Sequence, residues 1–351
     1  MSRTIIFLTV FGSLMLFVDV YFWQAFRIKF FNTGRNEQLI KWLYWGFSIL
    51  WMILLAYSMM QYNAKNPAKI LTPIRGIAFA LFFGKLIGIA PLLVDDVFRL
   101  FRWGAKLTGN PIIQSDQTGG INRLEFLQKS ALGLGGLMFG AMTYGVAFGR
   151  FNFKKHIVKM KLKNWPEQLD GLKAIQISDI HLGSFTSTDP IKDVVKMINQ
   201  ENPDFIFFTG DLVNSFAWEA EPFIEELSKL EARYGKYSVL GNHDYADYAG
   251  LRKDIPEDRQ KWQDNHIRML EIHKEMGFDL LLNENRVIEI NGGKFNIAGV
   301  ENWGAGGFAK YGDLDKSLEG LNHDLPTILL SHDPSALHIK ILYTLYAYSL
   351  K

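Results

Sequence analysis

The 351 residues carry 38 Lys and Arg against 36 Asp and Glu, with 48% hydrophobic residues and no cysteine. A disulfide framework, a thiol nucleophile and a Cys-ligated metal are thereby excluded, and so is a disordered chain. The net charge of +2 hides two unlike halves: residues 1–150 hold 15 Lys/Arg and 6 Asp/Glu, residues 151–351 hold 23 and 30. An acidic second half argues against non-specific nucleic-acid binding, so no nucleic-acid partner is expected.

Four stretches in the first half are nearly free of charge. Residues 4–26 contain only Asp19, residues 76–94 only Lys85, and residues 42–64 and 130–149 no charge at all. Each reaches the roughly 20 apolar residues that a membrane-spanning helix needs. Residues 1–150 therefore predict a transmembrane helical domain in contact with membrane lipids. The fourth stretch is rich in Gly and follows Asn122-Arg123-Leu124-Glu125-Phe126-Leu127-Gln128-Lys129. That segment resembles a twin-arginine export signal lacking one arginine; the alternative is a helix packed through small residues. Lys and Arg flanking the spans number ten on one side and nine on the other, which gives no orientation. The four spans predict a multi-pass protein of the cell membrane, and the signal-like segment alone points to an extracytoplasmic soluble domain. Asp19 and Lys85 lie within spans, either paired with each other, near an interface or functional.

After about residue 150 the pattern changes. His156 to Lys163 alternates and predicts a strand. Short apolar runs follow at 175–178, 205–209, 237–240 and 327–330, with helical patterns at 189–201, 219–232 and 257–276. This is the signature of an α/β domain around a buried sheet. Residues 286–290 and 294–300, separated by Asn291-Gly292-Gly293, predict a hairpin and hence a second sheet.

The runs end on chemistry: Asp179-Ile180-His181, Gly210-Asp211, Gly241-Asn242-His243-Asp244 and Ser331-His332. Ligands of α/β sheets bind outside the carboxyl ends of the strands, and four strands deliver oxygen or imidazole donors there. The mixed O/N set suits Mn, Fe or Zn better than Ca. A central Asp211 can bridge two ions, which hold a hydroxide and clamp a phosphoryl oxygen. His243 then faces substrate as a proton donor, with Asp244 beside it as the orienting carboxylate. Gly210 and Gly241 permit close backbone approach. Trp303, Phe308 and Tyr311, around the Gly304-Ala305-Gly306-Gly307 loop, form either a substrate wall or a solvent loop. Lys154 to Lys163 either bind anionic headgroups or anchor a helix end.

Asp179-x-His181, Gly210-Asp211, Gly241-Asn242-His243-Asp244 and His332 together resemble the calcineurin-like metallophosphoesterases over about residues 172–334, in a membrane-anchored bacterial arrangement. The resemblance implies a four-layer αββα sandwich over 151–351 and two divalent ions (Mn, Fe, Zn or Mg). It implies that Asp179 and His181 bind one ion, Asp211 bridges, and Asn242 and His332 bind the other. His243 is then the catalytic histidine. The implied activity is hydrolysis of a phosphodiester or pyrophosphate through a metal-bridged hydroxide, and the anchor favours a lipid-linked substrate.

Two departures stand out. Position 214 is Asn where the family often reads Gly-Asp-x-x-Asp. The family's closing Gly-His-x-His is absent: no Gly follows Gly320, and the later histidine is His338. Either the chain is a truncated or frame-shifted product lacking its last strands and two ligands, or it is a degenerate, non-catalytic member that keeps the fold as a binding module. Truncation is the favoured reading, because missing strands leave an exposed sheet edge. Nothing in the sequence specifies an oligomeric state.

Overall fold

The computed structural model describes residues 3–26, 35–61, 71–107, 123–162, 164–304 and 306–338. The chain divides into two compact units, Met1–Phe153 and Lys154–Lys351.

The first unit contains five long helices among the described residues: α1 (Arg3–Phe26), α2 (Arg35–Met60), α3 (Thr72–Gly88), α4 (Ala90–Leu107) and α5 (Arg123–Ala147). Four helical stretches are long and apolar enough to cross a membrane: Leu8–Phe26, Glu37–Met60, Thr72–Ala105 and Arg123–Ala147. Large apolar side chains point outward, with Trp42 75% and Leu137 72% exposed, as a hydrocarbon solvent favours. The third stretch exceeds one bilayer thickness. It steps at Ile89 into α4, which carries Asp95, Asp96, Arg99 and Arg102.

Asp19 is 2% exposed and pairs with Lys85. Tyr44 Oη and Ser48 Oγ each donate to Asp19 Oδ1 at 2.9 Å, and Lys85 Nζ donates to Ser48 Oγ at 2.8 Å. The two intramembrane charges thus satisfy each other, joining α1, α2 and α3. The Gly-rich α5 packs through small residues. A Cβ on Gly84 of α3 would lie 2.9 Å from the Gly135 carbonyl oxygen of α5, so only glycine allows this helix contact. Arg123, the single arginine of the signal-like segment, pairs with Asp95 at 2.7 Å.

In the second unit, β1 (Ala174–Ile177), β2 (Phe205–Phe208), β3 (Gly235–Ser238) and β4 (Asp279–Leu280) form a parallel sheet in that order. Parallel neighbours need crossovers, supplied by α6 (Asp189–Asn199), α7 (Ile224–Ser228) and α8 (Pro256–Glu275). The helix expected over 219–232 is shortened to α7, preceded by two short 3-10 turns at Ala217–Glu219 and Glu221–Phe223. Pro222 lacks the N–H that a continuous helix requires.

The second sheet contains β5 (Glu284–Ile290), β6 (Gly293–Val300) and β7 (Thr327–Ser331). β5 and β6 form the expected antiparallel hairpin. Asn291 and Gly292 connect them with φ of 51° and 83°, the left-handed pair of a tight two-residue turn. β7 pairs parallel to β6, so the fourth apolar run joins the second sheet, not the first as expected. Phe205, Phe207 and Tyr237 of the first sheet meet Ile290, Phe295 and Leu330 of the second in one buried core. α9 (Leu314–Ser317) lies against β5 and β6. The strand expected over 156–163 is not formed at 156–162: those residues pair with no strand among the described residues, 156–161 are exposed and Leu162 is half-buried, while Lys163 lies outside them.

Candidate functional site

The donors converge where the two sheets meet. Asp179 and His181 follow β1, Asp211 follows β2, Asn242 and His243 follow β3, and His332 follows β7. Asp179, His181 and Asp211 adopt positive φ of 55°, 51° and 60°. Left-handed backbone costs a non-glycine residue about 1–2 kcal/mol, and such strain gathers at functional sites. Cross-links hold the strained turns together: Asp179 N–H donates to the Gly210 carbonyl at 3.0 Å, and His181 N–H to the Asp211 carbonyl at 3.1 Å. Gly210 (φ 97°) has no room for a side chain, because a Cβ would lie 2.4 Å from the Gly241 nitrogen; one on Gly241 would lie 2.2 Å from Asp211 Oδ1.

Asp211 is 3% exposed. Its Oδ2 lies 3.5 Å from His181 Nε2 and 3.3 Å from His332 Nε2. Oδ1 accepts the His243 backbone N–H at 2.9 Å. Two donor groups result, His181–Asp211–His243 and Asp179–Asp211–His332, each with its ligand atoms within 4.8 Å of one another. Asn242 Oδ1 lies 3.0 Å from His332 Nε2.

All three imidazoles are fixed alike. Nδ1 of His332, His181 and His243 faces the carbonyl oxygen of Thr209 (2.9 Å), Val213 (3.2 Å) and Asn214 (2.6 Å), respectively. A carbonyl only accepts, so Nδ1 carries the proton and Nε2 turns to the site. His332 Nε2 then faces Asp211 Oδ2 and Asn242 Oδ1, both acceptors. Only a cation, a proton or a metal, reconciles that arrangement. Two mixed O/N groups sharing one carboxylate fit a pair of divalent transition-metal ions.

The electrostatics agree. Burial alone would raise the Asp211 pKa, but the hydrogen bond and charge of His332 hold it below the ordinary carboxylate range. Burial opposes the His332 charge, yet Asp211 raises that pKa above the ordinary imidazole value. Asp244 is fully buried, and desolvation followed by the Asp211 charge pushes it up to about 7.

Asp244 does not touch the His243 ring among the hydrogen bonds of this site. Its carboxylate accepts the backbone N–H groups of Asp211 and Leu212 (both 2.9 Å), Val213 (3.3 Å) and Gly241 (2.9 Å). The partner of the His243 imidazole is the Asn214 carbonyl. Asn214 itself exchanges hydrogen bonds with Ser184. Its backbone N–H is held at 2.7 Å by Glu219, a buried carboxylate that no sequence motif marks. Tyr311 stacks on Tyr245 at 3.8 Å and donates to Asp247 at 3.2 Å, so it is packed as an internal brace. Phe308 remains 53% exposed. The His338 side chain lies outside the described residues.

The family model of the calcineurin-like phosphoesterases matches residues 172–348, half of the chain. The chain belongs to this family. Residues 2–150 match a second model, described as "Probable Calcineurin-like phosphoesterase, transmembrane domain". Relatives of this calcineurin-like phosphoesterase include a zebrafish (Danio rerio) transmembrane protein with metallophosphoesterase domain, 30% identical over 51% of this chain and 39% of that protein. Metallophosphoesterase YkuE of Bacillus subtilis is 28% identical over 62% of this chain and 71% of its own length. UDP-2,3-diacylglucosamine pyrophosphatase LpxG of Chlamydia muridarum is 28% identical over 53% of this chain and 66% of its own. The chain thus spans well under half of the zebrafish relative. The zebrafish relative, like the two family models together, combines a transmembrane part with a phosphoesterase domain.

Proposed function

We propose that the chain is a metal-dependent phosphohydrolase of the membrane, with residues 1–150 as its transmembrane part and 151–351 as its catalytic domain. The observation that carries this reading is the single Asp211 Oδ2 facing the Nε2 atoms of both His181 and His332. In this reading Asp179 and His181 would hold one divalent ion, Asn242 and His332 would hold the other, and Asp211 would serve both, whereas the two donor groups described above set Asp179 beside His332 and His181 beside His243. Ions so held supply Lewis-acid polarisation of a phosphoryl oxygen and acidify a water.

The chain's own groups do the rest. The Asn214 carbonyl keeps the His243 proton on Nδ1 and leaves Nε2 for the substrate, so a protonated His243 delivers its Nε2 proton to the departing oxygen. Asp244 acts through the backbone: it holds the N–H groups of residues 211–213 and of Gly241, the segments that carry Asp211 and His243. The membrane spans, together with a relative named for cleaving UDP-2,3-diacylglucosamine, favour a lipid-linked phosphodiester or pyrophosphate as substrate.

The test is hydrolysis of an aryl phosphodiester by the detergent-purified chain with added manganese, against Asp211→Ala as background. Turnover above that background supports the reading, and equal rates refute it for this chain. A lipid-linked pyrophosphate cleaved with a higher kcat/KM than the aryl ester supports the substrate class.

We further place the catalytic domain outside the cytoplasm, on the resemblance of residues 122–129 to an export signal. The chain has no cysteine, so a single exposed Glu257→Cys reports sidedness cleanly. Labelling by an impermeant maleimide in intact cells supports that side; labelling only after lysis contradicts it.

A further inference from the structure

Tyr248 belongs to none of the motifs that mark the site, yet it touches two of their residues. Its ring stacks on the His243 imidazole, with centroids 4.2 Å apart and planes 14° from parallel. Its hydroxyl accepts from Asn242 Nδ2 at 3.0 Å. The turn that presents it runs from Ala246 (φ 64°) to Gly250 (φ 85°). Asp247, the neighbouring residue, is tied down by the Tyr311 hydroxyl at 3.2 Å. Tyr248 is nonetheless 51% exposed, so neither contact is a by-product of core packing.

We propose that Tyr248 is a positioning residue of the metal site and of His243; this rests on the phosphohydrolase reading above. An asparagine amide has an acceptor end and a donor end of almost equal size. Asn242 serves a cation only when Oδ1 faces it. The phenolic oxygen can accept as well as donate; by accepting from Nδ2 it holds the amide in the orientation that a cation on the other side selects, with Oδ1 toward His332 Nε2 at 3.0 Å. The stacked ring closes the other degree of freedom. His243 is held at Nδ1 by the Asn214 carbonyl, a pivot about which the imidazole can still tilt. A flat ring on one face, and the perpendicular His181 ring at 4.7 Å on another, restrict that tilt. The two functions reside in different atoms of Tyr248 and are separable.

The experiment compares the full-length chain in detergent with Tyr248→Phe and Tyr248→Ala. Manganese affinity is read by calorimetry, and kcat and KM for an aryl phosphodiester are read at saturating manganese. Tyr248→Phe loses the hydroxyl and keeps the ring; partners of this kind are worth about 10- to 100-fold in metal affinity, so an affinity loss of about tenfold is expected. Tyr248→Ala is expected to show the same affinity loss and, in addition, a kcat below that of Tyr248→Phe. Metal-free thermal midpoints are expected to match in all three, which a merely structural role would not give. Unchanged manganese affinity in Tyr248→Phe overturns the Asn242 part. Equal kcat in the two variants overturns the His243 part. A wild-type chain that binds manganese but hydrolyses nothing refutes the phosphohydrolase reading alone, and the affinity of Tyr248→Phe still decides the inference.

Discussion

Asp244 accepts the backbone N–H of Asp211 at 2.9 Å, so the residue next to the site histidine shapes the turn that carries the shared carboxylate. The same carboxylate holds three further N–H groups in a fully buried position. Removing it leaves those donors without a partner, at about 1–3 kcal/mol per unsatisfied group. Asp244→Ala is expected to lower stability by about 3 kcal/mol or more and to abolish manganese binding. Denaturant unfolding and calorimetry on the purified chain check both. A variant of wild-type stability that has lost only turnover would show instead that Asp244 acts on His243 directly.

His243 is assigned to protonate the departing oxygen. That help matters most for a poor leaving group. His243→Gln is expected to slow an alkyl phosphodiester by about 100-fold or more, and a nitrophenyl ester, whose leaving group needs no proton, much less. Equal losses on both substrates would assign His243 to charge stabilisation alone.

His273 makes a pH prediction remote from the metal ligands. Its Nδ1 meets Ser238 Oγ at 3.0 Å, and burial lowers its pKa from 6.5 to about 3. Below pH 6.5 the unfolded chain takes up this proton and the folded one does not, so stability falls as pH falls through that range. At pH 5 the loss is about 2 kcal/mol relative to neutral pH. The difference in pH slope between wild type and His273→Leu, read by unfolding from pH 5 to 7.5, isolates it. Parallel slopes would contradict a buried neutral imidazole.

In the membrane unit, Lys85→Met strips Asp19 of its cation. Breaking one side of a buried pair costs about 3–5 kcal/mol, and the bundle is expected to lose thermal stability accordingly. Adding Asp19→Asn removes the stranded charge while keeping an acceptor for Tyr44 and Ser48, and most of the loss is expected to return. A double variant no more stable than Lys85→Met would show that the pair does something other than neutralise itself.

The carboxyl-end donors were legible because each follows an apolar run, and strand ends are where an α/β sheet presents side chains. The hairpin was legible from Asn291 and Gly292, whose left-handed preference is local. Less was legible wherever the deciding partner is distant in the chain. β7 reads as a buried strand, but its pairing with β6 depends on 26 intervening residues of path that carry no pairing code. Residues 156–162 alternate like a strand, but alternation supplies no partner. Asp244 follows His243 directly, yet at the turn the two side chains serve different groups. The clamps on the three imidazoles are backbone carbonyls of residues 209, 213 and 214, which have no residue-type signature. Tyr248 escaped because a lone exposed tyrosine in a loop looks ordinary until its neighbours are known.

The central claim is that one carboxylate, Asp211, serves two cation positions. It is tested most directly by manganese uptake of the full-length chain, measured by equilibrium dialysis for wild type, His181→Ala, His332→Ala and Asp211→Ala. Two ions bound by wild type, one by each histidine variant and none by Asp211→Ala is the predicted result. Wild-type uptake by Asp211→Ala would contradict the account.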